Sequence, residues 1–381
     1  MKTALVLVAS TLAGKTLAGA GNQSPSCTDI SFPVTVTAAN AIIPITTPIT
    51  FQQVSGTYNI AARYCEPQNF VESRENTLQV LVHGITYTRN YWSGDGTLET
   101  SYDGAMYSWI DFASKQGYPT LSIDRLGNGL SDHPDPVNVL QSPLQVEVSH
   151  QIITIARNGN LPISKSRKFD KIVYAGHSYG SVLGNGLTVK YPNDADATIL
   201  TGLTSKYNFG FIESVFVPAV VPASTVNPKK WSTLNSGYLA IDNKTAFELG
   251  FYYPGYFDQG LVDLDWENSG TVGEGELESA LVFGPEVATG YVNPILDITG
   301  QHDSLMCTNP DPITARTPTG LWQTYNCGNG DNSSLAETKS LYPNADYEYY
   351  APLASGHCLN FHYDAQLTFD YAHNWLNWNG F

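Results

Sequence analysis

Charge is scarce in this chain. Asp, Glu, Lys and Arg make up 14% of 381 residues, against roughly a quarter in ordinary soluble domains. Positive charge is scarcer still: 19 Lys and Arg face 35 Asp and Glu, for a net charge of −16. That balance excludes the basic footprint needed to hold nucleic acid or an anionic lipid surface. Cysteine is also sparse, with five in the whole sequence. Five cannot build a disulfide-dense scaffold, and none of their spacings matches a zinc site. No apolar run is long enough to span a bilayer. Repeats of 20 to 50 residues and low-complexity linkers are absent as well. What is present is 42% apolar content, enough for a core, and 12% aromatics that include 23 Tyr.

The first twenty residues, MKTALVLVASTLAGKTLAGA, carry Lys2, an apolar stretch from Ala4 to Ala13 and the small residues Ala18, Gly19 and Ala20. This is the pattern of a secretory signal peptide cleaved before Gly21, so residues 1–20 are expected to be removed and the protein to be secreted. An oxidising route makes cysteine pairing expected, and proximity suggests Cys27–Cys65 and Cys307–Cys327, with Cys358 left over. Asn22, Asn243 and Asn332 each begin an Asn-x-Ser/Thr acceptor for glycosylation.

Short apolar runs alternate with segments of helical spacing. Thr35 to Thr37, Thr57 to Tyr64, Thr77 to Val82, Pro119 to Asp124, Lys171 to Ala175, Ala197 to Leu203, Pro294 to Thr299 and Tyr347 to Ala351 read as strands. Gln145 to Ala156, Val182 to Lys190 and Phe361 to Trp378 read as helices. The alternation predicts an α/β fold with a mostly parallel sheet covered by helices on both faces. Residues 205–290 break the rhythm with Trp231, Tyr238, Phe247, Phe251, Tyr252, Tyr253, Tyr256, Phe257 and Trp266. They read as a largely helical cap inserted between a first core part, 21–204, and a second, 291–381. Its aromatics either pack the cap on the sheet or face an apolar substrate.

Gly176-His-Ser-Tyr-Gly180 follows a buried strand directly and precedes a helix. A nucleophilic serine needs this strand–turn–helix, which exposes the hydroxyl on a tight turn and places a helix N-terminus beside a developing anion. A serine hydroxyl also needs a base. The expected chain order of serine, acid, histidine selects Asp303, at the end of a late strand, and His357, in Ser355-Gly356-His357. Asp297 lies inside its strand and suits a structural role. His362 is the nearest rival to His357, but a surface or helix-capping role fits it better; His373 falls in the closing helix. Gly356 is expected to permit a tight turn. Backbone amides of Tyr179 and Ile85 are the candidates for an oxyanion hole. His83 and Asp124 are expected to tie their loops, and Cys358 is disfavoured as a nucleophile beside a complete serine set.

Leu81-Val-His-Gly84, Asp124-Arg-Leu-Gly-Asn-Gly-Leu-Ser131, Gly176-His-Ser-Tyr-Gly180, Ile298-Thr-Gly-Gln-His-Asp303 and Ser355-Gly-His357 together resemble the α/β-hydrolase superfamily. The likeness is to its secreted, capped, esterase- and lipase-like serine hydrolases of microbial, fungal type. It implies an eight-stranded, mostly parallel sheet, a cap after the sixth strand, and hydrolysis through an acyl-enzyme with neither cofactor nor metal. The Thr- and Pro-rich stretch before His83 departs from the pattern and reads as an extra strand pair. The expected substrate is a small apolar carboxylic ester or lactone. An aminopeptidase or another reaction on the same three residues is the first alternative, with Asp263, Asp265, Glu267, Glu274, Glu276 and Glu278 available to a free amine. A catalytically silent binding protein is the second.

Overall fold

The computed structural model describes residues 25–97, 99–317 and 320–381. The expected signal peptide and Asn22 lie outside them. Six strands of the first core part are β1 (Ser26–Ala41), β2 (Phe51–Glu66), β3 (Thr77–Val82), β4 (Thr120–Ile123), β5 (Lys171–His177) and β6 (Ala197–Thr201). The insertion contributes β7 (Val220–Pro222), β8 (Tyr238–Ile241) and β9 (Val272–Gly273). The second core part contributes β10 (Ile295–Ile298), β11 (Asn309–Thr317), β12 (Gly320–Asn326) and β13 (Tyr347–Tyr350).

Eight strands form the central sheet in the order β1-β2-β4-β3-β5-β6-β10-β13. From β4 to β13 every neighbouring pair is parallel, while β1 and β2 are antiparallel. Side chains alternate between two buried layers. Leu78, Val80, Ile172, Tyr174 and Leu200 enter the layer beneath helices Ser142–Arg157 and Tyr179–Lys190. Leu81, Val173, Ala175, Ile199 and Leu296 enter the opposite layer, under helices Trp109–Lys115 and Ala365–Trp378. Burial on both faces is why these strands are continuous apolar runs.

The N-terminal strands are longer than the sequence reading gave: β1 and β2 pair over 16 residues each. Phe32, Val34, Val36 and Ala38 point inward, and Ser31, Pro33, Thr35 and Thr37 point out. This period of two continues through Thr and Ala, which hydrophobicity alone under-reads. Cys27 stands directly opposite Cys65 in the register, and their sulfurs are bonded; Cys307 is bonded to Cys327.

The insertion is not purely helical. Helices Lys244–Phe251, Gln259–Asn268 and Glu274–Val282 surround an antiparallel β7-β8-β9 sheet. Among the described residues, no helix is long and apolar enough to cross a membrane.

Candidate active site

Ser178 occupies the turn between β5 and the helix Tyr179–Lys190, with φ 53° and ψ −118°. A non-glycine residue held there stores on the order of 1–3 kcal/mol, which the surroundings must over-determine. They do so through close backbone contact. A Cβ on Gly176 would come 2.5 Å from Gly180 O, and one on Gly180 would come 2.1 Å from Val82 O. Ser178 N donates to Thr201 O at 2.8 Å, locking the turn to β6.

The loops after β10 and β13 bring Asp303 and His357 together. His357 Nδ1–H donates to Asp303 Oδ2 at 2.7 Å, and both side chains are fully buried. Asp303 Oδ1 accepts from Leu305 N at 2.9 Å and Met306 N at 3.0 Å, which fixes the carboxylate plane. That bond leaves Nε2 as the basic nitrogen of His357, and it is buried without a hydrogen-bond partner among the described residues. Such contacts commonly tighten only when substrate arrives. Phe251 of the insertion stacks over the imidazole, with centroids 5.8 Å apart and an interplanar angle of 20°.

Two glycines have reasons the sequence did not show. Gly356 was expected to make a tight turn, but its φ is not positive. A Cβ there would come 2.7 Å from Tyr253 N, so the insertion's backbone demands the absence of a side chain. Gly202 has φ +63°, and a Cβ there would sit 3.0 Å from His357 Cε1.

His362 caps the end of the helical turn Leu359–Phe361, its backbone N–H donating to Leu359 O, but it is not a surface residue. It is buried, donates from Nδ1 to Cys358 O at 2.8 Å, and accepts at Nε2 from Tyr253 N at 3.0 Å and Gly356 N at 3.1 Å. Burial lowers its pKa to about 4, so the neutral ring pins the His357 loop to the insertion. His177 lies under His357 at 5.0 Å between centroids and stacks on Tyr91 at 4.3 Å. Burial, then the neighbouring imidazoles of His357 and His83, hold its pKa well below the ordinary value. Burial pushes the Cys358 thiol well up, which opposes a thiolate, and outweighs the hydrogen bond with Tyr87 Oη, 2.7 Å from the sulfur.

The Ile85 and Tyr179 candidates flank the serine. Neither amide donates to a protein acceptor among the described residues. Gly84 passes so close that a Cβ would lie 2.9 Å from Ser178 Cβ. His83 ties the loop by bonding Gly84 O through Nδ1 at 2.7 Å and accepting from Arg125 N at Nε2 at 3.0 Å. Asp124 accepts from Arg89 N at 2.8 Å and Leu130 N at 2.9 Å.

Sequence reasoning missed Arg125. Its guanidinium reaches His83 O at 3.0 Å and Gly84 O at 3.2 Å, covers the Tyr179 ring at 4.7 Å, and pairs with buried Glu276 of the insertion. The arginine in the Asp124-Arg-Leu-Gly run was the available signal, but its partner lies 151 residues away.

A cavity of about 230 Å³ opens on Ser178, Ile85 and Tyr179. The insertion lines it with Ile212, Phe216, Val217, Val220, Leu239 and Leu277. None of the nine aromatics singled out in the sequence touches it. Phe247, Phe251 and Tyr252 pack against one another instead, so the cavity's apolar character is mostly aliphatic. Glu276, bound by Arg125, is its one carboxylate. Asp265 does not line the cavity; Tyr87 donates to it at 3.0 Å and Tyr252 also bonds it. Burial pushes its carboxyl up to about 7. Asp263 is exposed and paired with Lys244. Asn243 and Asn332 are both exposed.

Neither a protein-family model nor a curated protein sequence matches the chain. Solved structures do. An esterase from Thermogutta terrifontis aligns with a TM-score of 0.51 and 12% identity, over 91% of this chain and 100% of its own. Epoxide hydrolase I of potato (Solanum tuberosum) aligns at 0.52 and 12%, over 84% and 96%. The enol-lactonase from Burkholderia xenovorans LB400 aligns at 0.50 and 15%, over 84% and 97%. With the strand order above, these similarities define an α/β-hydrolase fold. At such identities they speak to the fold alone.

Proposed function

We propose that this protein is a secreted serine hydrolase that cleaves carboxylic esters or lactones of apolar substrates through an acyl-enzyme. The observation that carries the reading is Ser178 on a strained turn lining an apolar cavity, with His357 bonded to Asp303 at 2.7 Å.

In this reading Ser178 Oγ attacks the substrate carbonyl while His357 Nε2 takes its proton. Asp303 accepts from Nδ1–H, holds the tautomer and stabilises the imidazolium. The amides of Tyr179 and Ile85 receive the oxyanion. Collapse of the tetrahedral species breaks the C–O bond, and His357 returns the proton to the leaving alcohol. Water, deprotonated by the same imidazole, then releases the acid and restores Ser178.

The aminopeptidase alternative gains no support from the cavity. Its one carboxylate, Glu276, is already neutralised by Arg125, leaving nothing to hold a substrate ammonium. Ser178→Ala is expected to abolish turnover of p-nitrophenyl butyrate, a loss on the order of 10³-fold or more, with an unchanged far-UV circular dichroism spectrum. A folded variant that keeps full activity contradicts the assignment.

A further inference from the structure

The cavity on Ser178 is not the only space beneath the insertion. A second, outer cavity of about 620 Å³ is lined by Ser205, Lys206, Phe209, Glu286 and Thr308, among others. Tyr207 and Leu281 line both cavities. They come from opposite sides: Tyr207 from the stretch that leaves β6, Leu281 from the last turn of helix Glu274–Val282. The two side chains are therefore the wall between inner and outer space.

The wall is held by packing. Tyr207 Oη is buried and has no hydrogen-bond partner among the described residues. Its ring meets Phe209 edge to face at 5.9 Å between centroids. A Cβ on Gly284 would lie 3.8 Å from its Cε2, ordinary contact distance. Leu281 is 50% exposed, so its far side faces solvent. The two spaces differ in chemistry: aliphatic side chains dominate the inner lining, while hydroxyls and charges enter the outer one.

We propose that Tyr207 and Leu281 form the end wall of the acyl pocket and set the length of acyl chain the enzyme accepts. The inference rests on the ester reading of Ser178. The acyl group is the part of an ester that stays bonded to Ser178 Oγ after the alcohol leaves, so the space continuous with Ser178 must house it. A medium acyl chain fills the inner cavity. A longer one meets the wall and has to displace it or fold back. In a hydrophobic pocket even one methylene of misfit is worth about tenfold in kcat/KM.

The test is a chain-length series of p-nitrophenyl esters, from acetate to palmitate, read as the kcat/KM ratio of dodecanoate to butyrate. Leu281→Ala and Tyr207→Ala are expected to raise that ratio by about tenfold or more. Tyr207→Phe keeps the ring and is expected to keep the wild-type ratio. Should Tyr207→Ala fail to fold, Leu281→Ala carries the test, since its side chain is half exposed. A parallel series of alkyl butyrates varies the alcohol instead; a shift there and not in the acyl series overturns the proposal.

Labelling separates this inference from the reading beneath it. p-Nitrophenyl alkylphosphonates of the same chain lengths react by attack of Ser178 Oγ on phosphorus with loss of p-nitrophenolate. Labelling rates that shift toward long chains in Leu281→Ala, in a protein that turns over no ester, uphold the wall and overturn the ester reading. Ester turnover with a length profile indifferent to both alanine variants overturns the wall and keeps the ester reading. Absence of both labelling and turnover overturns both.

Discussion

Asp297 sits in the middle of β10 with no exposure, and burial pushes its carboxyl up to about 8. Hydrogen bonds from Tyr347 and Thr299 pull the other way but do not outweigh burial. Tyr347 Oη lies 2.9 Å from Asp297 Oδ2 and 2.7 Å from Leu335 O, yet a phenol has one proton to give. If that proton goes to Leu335 O, a protonated Asp297 donates to Tyr347 Oη. Thr299 Oγ1, 3.1 Å from Asp297 Oδ1, completes the set. The ordinary value of 3.8 applies to the unfolded chain, so between about 4 and 8 the folded state keeps a proton that the unfolded state has released. Stability from this group is therefore full below about 4 and is lost as pH rises toward 8. Asp297→Asn puts an amide where the acid proton points and removes the slope. Thermal unfolding at pH 5 and pH 8 checks this: the wild-type Tm should fall more across the interval than the variant's. Equal falls would contradict the neutral acid.

Residues also divide by how legible they were. Ser178 announces itself because its strand, its two glycines and its helix are contiguous. Asp303 and His357 were placed by chain order, and the structure puts them in contact. His362 does cap a helical turn, but its burial was not legible, because its side chain's three partners, Cys358 O, Tyr253 N and Gly356 N, are backbone atoms, partly from the insertion. No composition or spacing reports a backbone acceptor. Gly356 was chosen for the right loop and the wrong reason, since close approach of a distant segment leaves no local signature.

Among the elements, the helix Glu274–Val282 joins the insertion to the catalytic core. Glu276 on its first turn pairs with Arg125, bonds Gln145, and accepts from Gly273 N at 2.7 Å. Arg125 in turn holds the two carbonyls of the Ile85 loop. Insertion and Ile85 loop thus share one buried ion pair. Removing one partner strands the other charge in a site with almost no solvent. Glu276→Met or Arg125→Met alone should each destabilise by on the order of 3–5 kcal/mol. The double substitution Arg125→Met with Glu276→Met should cost much less than the sum of the single losses. Urea denaturation of the four proteins in the cycle measures this, and strictly additive losses would contradict a coupled pair. Central strands such as β3 were readable to the residue because both faces are buried and the run TLQVLV is mostly apolar. The β7-β8-β9 sheet was not, since β7 has three residues and β9 two.

For the molecule as a whole, low charge and high aromatic content have separate causes. Tyr and Phe concentrate under the insertion as packing, in clusters such as Tyr87, Tyr91, Phe251 and Phe361 around His177 and His357. The cavity on Ser178 is lined mostly by Val, Leu and Ile, with Tyr179, Tyr207 and Phe216 among them. The nine aromatics that suggested an apolar substrate therefore do not line the cavity on Ser178. Ser178, which lines that cavity, is the nucleophile in the proposed reaction. The most direct measurement is peptide mapping by mass spectrometry after reaction with a fluorophosphonate. The account predicts a single adduct, on Ser178, in the wild-type protein and none in Ser178→Ala. An adduct on another residue, or labelling that survives the substitution, would contradict it.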